Sequence, residues 1–225
     1  STLGREKVIL VGHSWGSALG LLYARAHPEK VAAFVGVAQV VAPMAADAAQ
    51  RAFVESEARR RGDEDVLRKL AELKGPPFAT EDELRLERLV DRYGGLYHRK
   101  PNFTLTVLRG VAAGYVRPWG LRRIFHANEV SLKAMADELY GLDLRRDAPS
   151  VPVPVVFMLG RYDRHVDANQ AAAYFQALEA PRKRLMWFEN SAHNVPFEEP
   201  DLFNAALPKL LAEVGVAAGA GRGTT

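Results

Sequence analysis

The sequence predicts an α/β fold: a parallel sheet with flanking helices, interrupted by a helical insertion. Four short runs are predicted as strands, residues 8–11, 31–38, 152–160 and 184–189. The second run is apolar throughout, as expected for a parallel strand that is covered on both faces. Helical segments alternate with these runs near both ends of the chain, whereas the middle is helical and charged. Such alternation is typical of a parallel sheet.

Composition narrows the class of protein. At 225 residues the chain can bury a sizeable core. It has no cysteine, which excludes disulfides, thiolate nucleophiles and cysteine-ligated metals. The absence of cysteine is compatible with a reducing compartment, and we expect a cytoplasmic protein. The net charge is +3, with acidic and basic residues interleaved, as in residues 55–61, so we expect no nucleic-acid partner. No run is long and apolar enough to cross a bilayer, and we expect no membrane span.

Residues 7–17 contain the most specific motif of the chain. A short apolar strand leads into Gly12-His-Ser-Trp-Gly16, the G-x-S-x-G nucleophile elbow in the strand–turn–helix context that this motif requires. We expect strained backbone geometry at Ser14, with its hydroxyl pointing out of the sheet. Side chains at positions 12 and 16 are expected to collide where strand and helix cross, which explains both glycines. The N-terminus of the following helix favours negative charge near Ser14.

The other elements of the first part follow in order. A helix over residues 17–27 is predicted to end at His27, because the following proline disfavours helical geometry there. After the second strand, glycines and prolines separate four predicted helices, residues 47–61, 64–73, 81–93 and 121–139. We expect them to form a packed helical subdomain that has no catalytic group and shapes a pocket.

The strand pattern returns at residue 152. Helices over residues 168–178 and 200–214 are predicted to follow the third and fourth strands. The predicted organisation has four segments: a first core segment at 1–38, a helical insertion at 39–150, a second core segment at 151–214, and a flexible tail rich in alanine and glycine at 215–225.

Three polar residues follow three different strands: Ser14, Asp163 and His193. In parallel α/β sheets the chemistry lies at the carboxyl ends of the strands, so we expect these side chains to meet. A serine nucleophile needs a base near neutral pKa, which histidine supplies. The histidine needs a carboxylate that fixes its tautomer. The sequence therefore predicts a serine, acid, histidine triad in that chain order.

Other candidates are weighed against this triad. His165 lies near Asp163 but follows the wrong strand to act as the base, and Asp167 is an alternative to Asp163 as the acid. Packing, capping or surface roles are expected for His13, His27, His98 and His126, while Asp143 and Asp147 precede the third strand and are weaker acids for this role. No cluster has metal-ligand spacing and no glycine-rich phosphate loop is present, so we expect neither a metal nor a cofactor.

The motifs resemble those of the α/β-hydrolase superfamily. The matching segments are residues 12–17, residues 160–163, and residues 191–193 followed by 197–200. They imply a partial α/β-hydrolase fold, in which the helical middle occupies the place of a cap domain. Residues 12–17, with Leu21-Leu-Tyr-Ala24 and His27-Pro-Glu29, look like the proline iminopeptidase-like branch, which contains aminopeptidases, esterases and amidases.

The resemblance implies nucleophilic acyl transfer on a small ester or amide or a short peptide. Ser14 attacks the carbonyl, His193 moves the proton, Asp163 orients His193, and the backbone N–H of Trp15 donates to the oxyanion. In the peptidases of this branch, acidic cap residues hold the free amine of the substrate. The sequence offers candidates for that role without choosing among them: Glu55, Glu57, Glu72, Glu129 and Glu138.

The sequence departs from the family before the elbow. The family has several earlier strands, and one of their loops supplies a second oxyanion donor; here the elbow strand comes first. We expect an N-terminally truncated chain with an unpaired edge and exposed apolar surface at that strand. Loss of one oxyanion donor costs on the order of 10²–10³ in rate. The alternative hypothesis is therefore a non-catalytic protein or an inactive hydrolase fragment.

Overall fold

A computed structural model describes residues 6–98, 103–115 and 117–216 of the chain. Its strands are β1 (Val8–His13), β2 (Val31–Val37), β3 (Val155–Gly160) and β4 (Lys183–Phe188). They form one sheet in the order β1-β2-β3-β4, and every neighbouring pair is parallel. The predicted parallel sheet is thus confirmed.

Helices fill the connections between the strands. Those of the core are α1 (Trp15–Ala26), which follows β1, and three that come later in the chain. Those between β2 and β3 are α2 (Pro43–Arg61), α3 (Glu64–Glu72), α4 (Thr80–Arg92), α5 (Phe103–Ala112), α6 (Leu121–Ala134), α7 (Ala136–Gly141) and α8 (Leu144–Asp147). After β3 come α9 (Ala168–Ala177), α10 (Val195–Glu198) and α11 (Pro200–Glu213).

Both faces of the sheet are covered, which explains its apolar strands. On one face, Phe34 and Phe157 pack with residues of α1 and α9 such as Leu21 and Tyr174. On the other face, strand residues pack against α11, as in the cluster of Val35, Met158 and Leu211. A strand buried on both sides cannot alternate polar and apolar residues, so its run is continuous.

The insertion has a small core of its own. Buried side chains of α2, α3 and α4 meet there, among them Val54, Val66, Leu70, Leu86 and Val90. The amphipathic spacing of these helices places one apolar stripe of each toward the others. The segment that carries this core connects β2 with β3, and it contacts the loops that follow β3 and β4 through the bonds from Gln50 to the His165 carbonyl and from the His193 N–H to the Leu96 carbonyl.

Several boundaries differ from the prediction. Helix α2 begins at Pro43, because proline suits the first turn of a helix, where its missing N–H has no acceptor. Helix α5 was not predicted. The predicted helix over 121–139 is two helices, α6 and α7, which are separated at Met135. Residues 217–225 of the predicted tail lie outside the described residues.

The elbow strand β1 lies at one edge of the sheet, with β2 as its partner within the described residues. Val8 and Val11 are 39% and 46% exposed, and Leu19 and Tyr23 of α1 are exposed beside them. This apolar edge agrees with the surface expected at the elbow strand.

Candidate active site

The elbow places Ser14 between β1 and α1. Its backbone is strained, with φ 54° and ψ −130°, as expected. A Cβ at Gly12 would lie 2.2 Å from the carbonyl oxygen of Gly16, so only glycine fits there. At Gly16 a Cβ would meet no atom within 4 Å, and the predicted collision at that position is wrong. The turn is closed by Ser17, whose Oγ donates to the Ser14 carbonyl at 2.6 Å.

Asp163 and His193 form a buried pair. The Nδ1 of His193 donates to Oδ2 of Asp163 at 3.0 Å. The other oxygen, Oδ1, accepts the backbone N–H groups of His165 and Val166 at 2.9 and 3.1 Å. Burial raises the pKa of Asp163. The charge and hydrogen bond of His193 lower this pKa, and so do His165 and the backbone N–H of Val166. Together they outweigh burial and hold the pKa below its usual value. The carboxylate is therefore kept charged beside the imidazole.

Ser14 lies with His193 in the wall of one cavity. Among the described residues, no hydrogen bond links the Ser14 hydroxyl to the imidazole; such bonds often tighten only when substrate binds. Trp15 also lines this cavity and is the first residue of α1. Its amide therefore belongs to the helical turn whose N–H groups have no acceptor within the helix.

His13 has a contact that the sequence did not indicate. Its Nε2 donates to the backbone carbonyl of His193 at 3.0 Å, and the two rings lie 5.0 Å apart. The sequence predicts only a packing role for this residue. The elbow and the loop after β4 are thus joined directly.

The residues that the sequence offered as alternatives to the triad have other roles in the structure. The ring of His165 packs edge-on against that of His193, with 4.7 Å between the ring centroids. Burial lowers the pKa of His165, and the neighbouring His193 lowers it further, so His165 stays neutral beside the pair. Asp167 caps α9 by accepting from the N–H of Asn169 at 3.2 Å. Asp143 caps α8 and pairs with Arg145. The geometry thus selects Asp163 as the partner of His193.

The cavity beside Ser14 has a volume of about 400 Å³. Much of its wall is apolar, from residues such as Val40, Val41, Leu96, Leu132, Met135 and Leu139. Three carboxylates of the insertion also line it: Asp47 of α2, and Glu83 and Glu87 of α4. The insertion therefore contributes polar groups to this cavity, beyond the pocket shape expected of it.

Sequence reasoning missed these three carboxylates. Glu55 and Glu57 instead pair with arginines on the exposed face of α2, while Glu72 and Glu138 are exposed; the side chain of Glu129 lies outside the described residues. A signal was present, because Glu83 and Glu87 are four residues apart and share a helix face beside the buried Leu86 and Val90.

Burial makes two of these carboxylates, Asp47 and Glu83, easier to protonate. It raises the pKa of Asp47 to about 6, although the Tyr140 hydroxyl, which donates to Oδ2 at 2.9 Å, opposes the rise. Burial, together with Asp47 and Glu87, raises the pKa of Glu83 to about 7. Buried carboxylates with raised pKa values are found more often at functional sites than elsewhere in proteins.

Replacing Asp47 with asparagine is expected to stabilise the protein at about pH 8 by on the order of 2 kcal/mol, and to change little near pH 4. The folded pKa of about 6 lies above the usual 3.8, so the folded state binds this proton more tightly. Stability is therefore lost as the pH rises from about 4 to about 6, and the amide avoids that loss. Urea denaturation across this range measures the effect.

Asp143→Asn serves as the opposite control. Its pairing with Arg145 lowers the pKa of Asp143, so the native carboxylate stabilises the fold above its usual pKa. This variant should lose stability at neutral pH. An Asp47→Asn variant that also loses stability at pH 8 would contradict the argument from burial.

Two further features concern ligands and membranes. Within residues 6–98, 103–115 and 117–216, no group of three or more His, Asp or Glu side chains is arranged to hold a metal ion. None of the helices in this part of the chain combines the length and apolar character needed to span a bilayer.

Comparison with known proteins shows which family and relatives the chain resembles. Residues 1–200 match the family model described as alpha/beta hydrolase fold. A curated protein of Bacillus subtilis (strain 168), named probable aminopeptidase YbaC, is 33% identical over 216 residues, which are 91% of this chain and 65% of that protein. The chain thus spans less than two thirds of that relative.

Solved structures show the same fold at low identity. An alpha/beta fold family hydrolase from Bacillus anthracis str. Sterne has a TM-score of 0.57 and 17% identity, over 93% of this chain and 69% of that one. Proline iminopeptidase from Mycobacterium smegmatis has a TM-score of 0.56 and 16% identity, over 95% of this chain and 67% of that one.

Proposed function

The chain belongs to the α/β-hydrolase fold family, and from this premise we propose that it is a serine hydrolase that cleaves amide or ester bonds through an acyl-enzyme. Ser14 is the proposed nucleophile, His193 the base, and Asp163 the residue that orients His193. We further propose that the acyl group of its substrate carries a free amine, as the N-terminal residue of a short peptide does. The observation that carries this proposal is the cavity shared by Ser14, His193 and three carboxylates.

The proposed reaction begins with attack of Ser14 Oγ on the substrate carbonyl. The serine proton passes to Nε2 of His193, whose Nδ1–H is held by Asp163. The oxyanion that forms is stabilised by the N–H of Trp15 and by the N-terminus of α1. The bond to the leaving group then breaks, and His193 protonates that group. Water, activated by the same histidine, releases the acid and restores Ser14.

The acidic cluster supports an amine-bearing substrate. Asp47, Glu83 and Glu87 place negative charge in a largely apolar cavity, where a protonated amine is the complementary group. The apolar residues suit the side chain of a small residue next to that amine. The relative named probable aminopeptidase supports the same substrate class. We propose that the reaction needs no cofactor or nucleic-acid partner, that the chain has no membrane span, and that its location is cytoplasmic.

The test is to compare a proline arylamide with its N-acetyl derivative and with a short-chain aryl ester. We expect the free amine to be required for turnover of the arylamide. Glu83→Gln should raise KM for the arylamide about tenfold to 100-fold, since a hydrogen bond to a charged group is worth about 1.5–3 kcal/mol. KM for the neutral ester should change less than about twofold, because the ester has no amine to bind.

The pH dependence gives a second measurement of the same variant. Because the pKa of Glu83 is about 7, the wild-type KM for the arylamide should fall as the pH rises through 7 and the carboxylate ionises. Glu83→Gln should lose this dependence. Glu81→Gln is the matched control, since Glu81 is exposed in the same helix. Equal turnover of the free and acetylated arylamides would contradict an amine-binding role and favour an esterase.

A further inference from the structure

The loop that carries His193 is tied to the insertion by one carboxylate. Glu198, the last residue of α10, accepts the N–H of Ala192 at Oε1, at 2.8 Å. Its other oxygen, Oε2, accepts the N–H of His98 at 2.7 Å. Ala192 precedes the proposed base, and His98 lies beyond α4 in the insertion. The side chain therefore bridges two segments that are about a hundred residues apart in the chain.

Neighbouring bonds make this bridge part of a continuous contact. The carbonyl of Leu96 accepts the N–H of His193 at 3.2 Å and the side-chain amide of Asn194 at 3.1 Å. The carbonyl of Gly95 accepts the N–H of Arg164, next to Asp163, at 3.0 Å. Residues 95–98, here called the linking segment, thus contact both the histidine loop and the aspartate loop.

The linking segment also connects this contact to the acidic cluster. It follows α4 closely, and α4 carries Glu83 and Glu87. Leu96 itself lines the cavity, together with Ser14 and the three carboxylates. The linking segment therefore contacts the histidine loop directly and is joined along the chain to the helix that carries two of the carboxylates.

We propose that Glu198 is a positioning residue, which holds His193 in reach of Ser14 by clamping the histidine loop to the linking segment. The inference rests on the serine-hydrolase function proposed above and adds a residue to it. Each carboxylate oxygen of Glu198 accepts one backbone N–H, so the clamp needs two acceptors. A displacement of about 1 Å at a reacting group can cost about 100-fold in rate.

Glutamine at this position must break the clamp. Its amide offers one oxygen, and its NH₂ group would face the remaining N–H as a second donor. The adjacent Glu199 provides a matched control. A single oxygen of its carboxylate, Oε2, accepts both the backbone N–H of Asn190 and the side-chain O–H of Ser191. Glutamine at 199 can keep both bonds, whereas glutamine at 198 cannot.

The experiment measures the rate at which a fluorophosphonate labels Ser14, by intact mass, with hydrogen exchange of the Ala192 and His98 amides as a second readout. We expect Glu198→Gln to be labelled about 10-fold to 100-fold more slowly and to exchange faster at both amides. Its kcat for the aryl ester, divided by the folded fraction from circular dichroism, should still fall while KM stays within about twofold; a loss of folded enzyme alone would leave this corrected kcat unchanged. Glu199→Gln should behave as wild type, and Glu198→Asp should recover part of the rate.

The outcomes separate the two proposals. Labelling of folded Glu198→Gln at the wild-type rate would overturn the positioning role and leave the serine-hydrolase proposal standing. A folded wild type that takes no label would overturn the hydrolase proposal. The clamp would then be tested by the hydrogen-exchange data alone. Unchanged protection of both amides in Glu198→Gln would overturn the clamp, and faster exchange would support it. Should Glu198→Gln not fold, the same comparison is made with Glu198→Asp.

Discussion

Ser14→Ala is expected to abolish fluorophosphonate labelling and to lower turnover by at least about 10⁴-fold. The strained elbow presents this hydroxyl at the cavity wall with His193, and no other group of the proposed mechanism can form the acyl-enzyme. Intact mass spectrometry of the labelled protein and turnover of an aryl ester measure the two effects. The fold should persist, because alanine keeps the Cβ and removes only the hydroxyl.

Ser131→Ala is the matched control, since Ser131 also lines the cavity. It should take one label at close to the wild-type rate. An adduct of equal yield on Ser14→Ala would assign the nucleophile elsewhere. A folded wild type without any adduct would favour the alternative of a non-catalytic member of the family.

The second large effect is expected for Asp163→Asn, with kcat lowered about 10⁴-fold. Oδ1 of Asp163 accepts two backbone N–H groups, so the single oxygen of asparagine is needed there. The NH₂ group then faces Nδ1 of His193 and forces that nitrogen to accept. The proton moves to Nε2, which can no longer take the proton of Ser14. Steady-state turnover of an aryl ester measures the loss.

The control for this substitution is Asp167→Asn, because Asp167 caps α9 and asparagine is also a good cap. Its kcat should stay within about twofold of wild type. A fall of less than about tenfold in Asp163→Asn would contradict the tautomer argument and reopen the choice of acid. A ¹⁵N spectrum of the His193 ring would show directly which nitrogen carries the proton.

Short sequence patterns predicted those features that depend only on residues close together in the chain. The apolar run of β2 predicted a strand covered on both faces, and the elbow pentapeptide predicted the backbone strain at Ser14. Gly16 shows the limit of that reasoning, because the space around a glycine is decided by what packs on it. The break at Met135 was missed for a similar reason, since the apolar spacing of residues 121–139 continues across it.

By itself, the sequence determined the parallel α/β class and the order of Ser14, Asp163 and His193, because strand pattern and turn motif are local properties of the chain. Only the tertiary structure decided which carboxylates share the cavity: Asp47 and Glu83 come from two helices whose relative placement depends on packing within the insertion. The same holds for His13 against His193 and for the bridge made by Glu198. These contacts join residues far apart in sequence, and no local pattern specifies such pairs.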